Sequence, residues 1–353
     1  MPSFTTAGEH MSQRSIHFFR RSVSLPVLLA TSLSLFLVML LLPSTAQAHP
    51  GEHSHNPATV TSTHKPVVKI IVHDGYRYIT SNGIPNHKTG KFPTQDNPNK
   101  ISPQQQSFRV TTTPKPATTK ANPRGHVLFG VALNGVVFDP GTAEIWRNGK
   151  LVRGGPPQAG DWRYEGIGPE GGTLGLDDNN AHVQPQGTYH YHGLPTGLID
   201  QLKDPNKDTK QPQSKMLLIA WAADGYPVYA MWGHKDANDA DSPLVKLTSS
   251  YQLKKGNRPA DAPKGQYDGT FTGDWAFDKD AGDLDENNGR TGVTPEFPKG
   301  TYYYVLTDTF PFVPRAFHGT PDASFISRPP TGGPGAGNGQ RPPRRNGRAE
   351  RRR

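Results

Sequence analysis

The side chains best placed to do chemistry are His190 and His192, set two residues apart in Gly187-Thr188-Tyr189-His190-Tyr191-His192-Gly193. Imidazole and phenol alternate at the period of a β-strand, so the run predicts both histidines on one face and Tyr189 and Tyr191 on the other. Neutral imidazoles held together in this way are the start of a site for a divalent transition metal such as zinc, copper or iron.

A third imidazole, His182, closes the stretch Asp177-Asp178-Asn179-Asn180-Ala181-His182. A connection of this length can fold back so that His182 and the Asp178 carboxylate approach the pair, and three histidines with a carboxylate or water suit zinc, copper or non-haem iron. The same stretch also reads as a turn, because Asp and Asn side chains cap their own backbone. His87, in Asn82-Gly83-Ile84-Pro85-Asn86-His87, is a candidate from far upstream. A separate tract, His49-Pro50-Gly51-Glu52-His53-Ser54-His55, offers His49, His53 and His55 as a possible second metal site. If His49 is a free N-terminus, its amine and ring can chelate copper together, while Pro50 blocks chelation by the next amide nitrogen.

The elements that must position these residues are strands. Glycine and proline number 38 and 35, hydrophobic residues make up 33%, and no long run of helical period follows residue 48. Short strands and tight turns are the expectation, giving a mostly β fold of two related units, sandwich- or barrel-like. With no cysteine, a protein in an oxidising compartment has neither disulfides nor thiolate ligands, so any metal must use nitrogen and oxygen donors. The same absence leaves His318, in Phe317-His318-Gly319-Thr320, without a thiol nucleophile to serve. The acidic run from Asp278 to Glu286 fits no EF-hand, since Asp283 stands at the required glycine and Gly289 at the final glutamate.

An internal repeat supports two units. Ala132-Leu133-Asn134-Gly135-Val136-Val137-Phe138 is followed by Leu176-Asp177-Asp178-Asn179-Asn180 and then Gly187-Thr188-Tyr189. Ala222-Ala223-Asp224-Gly225-Tyr226 is followed by Leu284-Asp285-Glu286-Asn287-Asn288 and then Gly300-Thr301-Tyr302. Aligning the two Gly-Thr-Tyr runs sets Tyr303 and Val305 opposite His190 and His192, and Tyr302 and Tyr304 opposite Tyr189 and Tyr191. A scaffold of this kind therefore builds the strand without imidazoles, and the tyrosines are the packing residues. His182 has no counterpart in the second copy, where Arg290 lies nearby.

The motifs at 82–93, 133–141, 187–193, 222–229, 267–271, 284–289 and 294–304, in this order, resemble the YHYH-domain family of bacterial and eukaryotic proteins over roughly residues 67 to 320. The resemblance implies no defined reaction. It also implies a cysteine at Asn287 and a partner cysteine at Ala316, so a disulfide usual there is missing from this chain.

The expected organisation is a signal peptide over 1–48, a flexible His-rich segment over 49–66, the YHYH domain over 67–327 and a disordered tail over 328–353. The duplicated units cover about 126–200 and 215–320. Arg14, Arg20 and Arg21 precede an apolar stretch from Val23 to Leu42 and the small-residue site Ala46-Gln47-Ala48, which predicts export with cleavage after Ala48 and no retained transmembrane segment. The net charge of +9 is unevenly placed, with eight arginines and one glutamate from Arg328 onward and three arginines and one glutamate before His49. The central domain is thus neutral, and no specific recognition of nucleic acid is predicted. The tail is too rich in proline, glycine and arginine to bury apolar surface, and an exposed polycation attracts anionic surfaces or acidic polysaccharide.

Three functions remain open. The first is an exported, non-enzymatic or accessory metal-binding protein. The second is a metal-dependent extracytoplasmic enzyme, hydrolytic or copper-oxidative. The third is a cell-surface or matrix adhesion protein with structural histidines.

Overall fold

A computed structural model describes residues 55–118, 126–154, 158–168, 174–203 and 215–327. All of these belong to the second of two compact units, Pro50–Arg353. The leader, His49, His53 and the arginine-rich tail lie outside the described residues.

The fold is mostly β, with several sheets and, among the described residues, one α-helix, Thr196–Leu202. Its centre is an eight-stranded mixed sheet. Gly130–Ala132 and Leu218–Ala222 pair antiparallel in the middle, with Val131 opposite Trp221. Each forms a hairpin with the strand that follows it, Val137–Phe138 and Pro227–Tyr229 respectively. The turns between them carry Asn134-Gly135 and Asp224-Gly225, whose glycines have φ of 84° and 96°. Such left-handed backbone is what lets so short a connection reverse the chain.

Each outer hairpin strand then takes a parallel partner from later in the sequence. Tyr189–Tyr191 lies beside Val137–Phe138, and Phe297–Val305 lies beside Pro227–Tyr229. The two edges are antiparallel additions, Ala181–Val183 on one side and Gly289–Thr294 on the other.

Side-chain alternation gives this sheet two different faces. One is a continuous aromatic core that includes Phe138, Tyr189, Tyr191, Tyr302 and Tyr304, packed with Leu198 and Ile199 of the helix. The opposite face has a central apolar patch of Val131, Val137 and Trp221. Ile79, Phe108 and Val110, from a three-stranded antiparallel sheet of Val68–His73, Tyr76–Ser81 and Gln106–Thr111, cover that patch. Beyond the patch on one side, Tyr229, Tyr303 and Val305 pack with Met216, Leu247 and Leu284. On the other side the corresponding place is taken by histidines.

Candidate metal centre

The pairing register brings the histidines together. His182 stands opposite His190 across the antiparallel edge pair, and His192 follows His190 on the same face at the two-residue period. Their Nε2 atoms converge, with His192 Nε2 at 3.0 Å from His190 Nε2 and 3.2 Å from His182 Nε2. The three form a group whose ligand atoms all lie within 4.8 Å of one another. Nitrogens bound at about 2.05 Å to one ion stand roughly 2.9 to 3.4 Å apart for angles between square and tetrahedral, so the two spacings from His192 match those of ligands to a shared ion.

The outward ring nitrogens fix how the inward ones can be used. His182 Nδ1 lies 2.7 Å from the Leu174 carbonyl and His190 Nδ1 lies 3.2 Å from the Thr188 carbonyl. A carbonyl only accepts, so both rings carry hydrogen on Nδ1 and turn an Nε2 lone pair inward. A single proton on His192 Nε2 would have to serve both lone pairs, and it would leave His192 Nδ1 as a second buried lone pair. That atom is buried and makes no hydrogen bond. One cation between the three Nε2 atoms satisfies all of them, so the residues fit a divalent transition metal.

Electrostatics keep the ligands ready. Burial, the largest cause, pushes His182 down to about 3, helped by the neighbouring His190. Burial also lowers His190, and it pushes His192 well below the ordinary imidazole value, aided by repulsion from His190 and His182. The rings are therefore neutral at physiological pH, the state that binds metal.

A carboxylate does accompany the triad, but it is Asp139. It follows the Val137–Phe138 strand, its amide donates to the Tyr191 carbonyl at 3.0 Å, and the register sets it beside His192 on the same face. Asp139 Oδ2 accepts from His126 Nε2 at 2.8 Å and from Gln184 Nε2 at 3.0 Å. Burial acts to raise its pKa, yet the bond from His126 and the charge that His126 carries hold it below the usual value. His126 is raised in turn by the same bond.

The other candidate residues lie elsewhere. Asp178 is half-exposed and meets His55 Nε2 at 2.9 Å and the Ala58 amide at 3.0 Å. Its loop is a turn, in which Asp177 Oδ1 accepts from the Asn179 amide at 2.9 Å and Asn180 adopts φ of 52°. Asp177 itself faces the aromatic core, where its Oδ2 accepts from Tyr189 Oη at 2.7 Å. His87 also lies on that face, with Nε2 at 2.6 Å from Tyr191 Oη. Neither Asp178 nor His87 joins the three converging rings. Of the His-rich tract, only His55 falls within the described residues.

Gln184 was within reach of sequence reasoning, since it is two residues beyond His182 and strand period places it on the histidine face. Asp139 was not, because only the parallel pairing of Val137 with His190 brings it there. His126 and the ion pair of Glu165 with Arg315 have no such local pattern, because distant segments bring them in.

A family model described as YHYH protein matches residues 107–319. No curated protein matches the chain, and no solved structure does.

Proposed function

The chain belongs to the YHYH protein family, and we propose that it is an exported protein binding one divalent transition metal, zinc, copper or iron, through His182, His190 and His192, in a non-enzymatic or accessory role. The observation that carries this reading is the convergence of three buried, neutral Nε2 atoms that a proton alone leaves unsatisfied. Elemental analysis of protein purified without a histidine tag tests it, with one equivalent expected. The double variant His190→Ala with His192→Ala should lose that metal and keep the β circular dichroism of the parent. Full metal content in this variant would place the site elsewhere.

The opposite flank of the sheet supports assigning the histidines to binding. There Arg290 Nε donates to Tyr303 Oη at 2.6 Å, and Tyr303 and Val305 close the space with apolar neighbours. We infer that the two halves are copies of one β unit. Each runs outward from the centre as hairpin, parallel strand and antiparallel edge, and each edge strand is preceded by a positive-φ asparagine, Asn180 or Asn288.

The enzymatic alternative has one observation in its favour, the Asp139 carboxylate held by His126 beside the triad, since such a pair can accept and return a proton. Turnover that disappears with a chelator and returns with metal would establish it. Absence of metal from the parent protein would instead favour the adhesion reading, with the arginine-rich tail on an anionic surface. Export rests on the leader pattern, and N-terminal sequencing of secreted material should begin at His49.

A further inference from the structure

Metal-bound imidazoles need a partner for the second ring nitrogen, because a fixed N–H acceptor sets the tautomer and holds the ring in line with the ion. His182 and His190 have theirs in the carbonyls of Leu174 and Thr188. His192 has none, although its Nδ1 is buried.

Beside that atom runs Gly166, where an added Cβ would stand only 2.9 Å from His192 Nδ1. The preceding residue, Glu165, is buried, and its Oε2 also makes no hydrogen bond. Its Oε1 is committed, accepting from Arg315 Nη2 at 2.6 Å and from the Gly166 amide at 3.0 Å. Arg315 also donates to the Pro140 carbonyl, next to Asp139, so one guanidinium ties together the two segments that flank the triad. Two buried polar atoms of complementary kind, an imidazole N–H on His192 and a carboxylate oxygen on Glu165, are thus both without a partner, the first beside Gly166 and the second on the residue that precedes it.

We propose that Glu165 positions His192, accepting its Nδ1–H through one bridging water seated against Gly166, with Arg315 holding the carboxylate in place. This rests on the metal-centre reading above. Glu165 touches neither ion nor substrate and acts through the ring. A buried water with two such partners is a common way to satisfy groups that no direct bond joins. Glycine at 166 fits the same geometry, since a Cβ there would press on the His192 ring, 2.9 Å from Nδ1 and 3.5 Å from Cγ.

The test is zinc titration of the full chain in competition with a chromophoric chelator, for the parent, Glu165→Gln and Gly166→Ala, with melting of the metal-free proteins recorded alongside. Loss of this kind of partner lowers metal affinity roughly ten- to a hundred-fold. That drop is expected in both variants, with a shifted d–d spectrum for cobalt-loaded Glu165→Gln. Affinity and spectrum equal to those of the parent would overturn the role of Glu165 while leaving the metal centre standing. A parent that binds no zinc or cobalt would overturn both. Should Glu165→Gln fail to fold, Glu165→Asp, which keeps the charge and draws the oxygen back, decides by the same criterion.

Discussion

At the scale of the residue, the triad makes stability depend on acidity in a definite direction. In the unfolded chain each imidazole titrates near about 6.5, whereas in the fold burial keeps His182 neutral down to about 3 and lowers His190 and His192 as well. Below about pH 6.5 the unfolded chain therefore takes up protons that the native state refuses, and stability falls as pH drops. Above it these groups add no slope. The metal-free protein should lose up to about 1.4 kcal/mol per pH unit through His182 between about pH 6.5 and pH 3, with further loss in the same direction from His190 and His192, read from urea melts at stepped pH. His126 acts in the opposite sense, since its raised pKa favours the fold at low pH and loses that effect as pH rises through it. Loaded protein should hold its melting temperature across the upper part of that range, because protons must first displace the ion. A metal-free protein equally stable at pH 7.5 and 4.5 would show that the rings are not neutral in the fold.

Tyrosines on the other face answer a different question. Tyr191 Oη accepts from Asn134 Nδ2 at 2.9 Å and reaches His87 Nε2 at 2.6 Å. Tyr191→Phe strands both partners and should cost about 1–3 kcal/mol in denaturant unfolding with no loss of metal. The histidine pair and its face were legible in the sequence because alternation at period two needs no knowledge of the rest of the chain. The accompanying carboxylate was not. Acidic loops that cap themselves look like ligand loops in one dimension, and only the parallel pairing with a strand fifty residues upstream distinguishes Asp139 from Asp178.

At the scale of the element, the sheet was readable where sequence repeats itself and obscure elsewhere. The turns at Asn134-Gly135 and Asp224-Gly225 and the strands that carry Tyr189 and Tyr302 are where the pattern places them, although the second begins at Phe297, ahead of its Gly-Thr-Tyr run. The helix Thr196–Leu202 was not anticipated. It spans 7 residues, too few to show a helical period, and Leu198 and Ile199 hold it by packing under the tyrosines. Outside the central sheet, the loop around Trp275 is organised by a buried ion pair. Arg258 Nε and Nη2 donate to the two oxygens of Asp274 at 2.7 and 2.6 Å. Asp274 Oδ2 also accepts from the amides of Gly269 and Phe271. Asp274→Ala leaves the buried guanidinium with only Asp268 opposite it and strands the amides of Gly269 and Phe271, which should cost about 3 kcal/mol. Thermal melts would show it, while zinc stoichiometry in the folded fraction stays at the parent value.

At the scale of the whole molecule, the two flanks of the central sheet have the same succession of strand pairings and differ in what they hold. Arg290, Tyr303 and Val305 occupy the places of His182, His190 and His192. Substitutions there should affect folding alone. Arg290→Ala removes bonds to Tyr303 Oη and the His234 carbonyl, for a loss of about 1–3 kcal/mol, with metal affinity unchanged in the same competition assay. If affinity falls as well, the two flanks are coupled through the sheet.

The strand that carries His182 is the outermost of eight, three residues long and paired on one side only. Strands so placed open first, because no strand pairs with their outer side; here, among the described residues, side chains and a turn amide hold only the outward carbonyls of Val183 and Ala181. A cation gripping His182 and two rings of the adjoining strand would act as a rivet across that margin. Its removal should then be felt as local fraying, seen as faster deuterium uptake at the amides of His182 and His190 while amides in the middle of the sheet keep their protection.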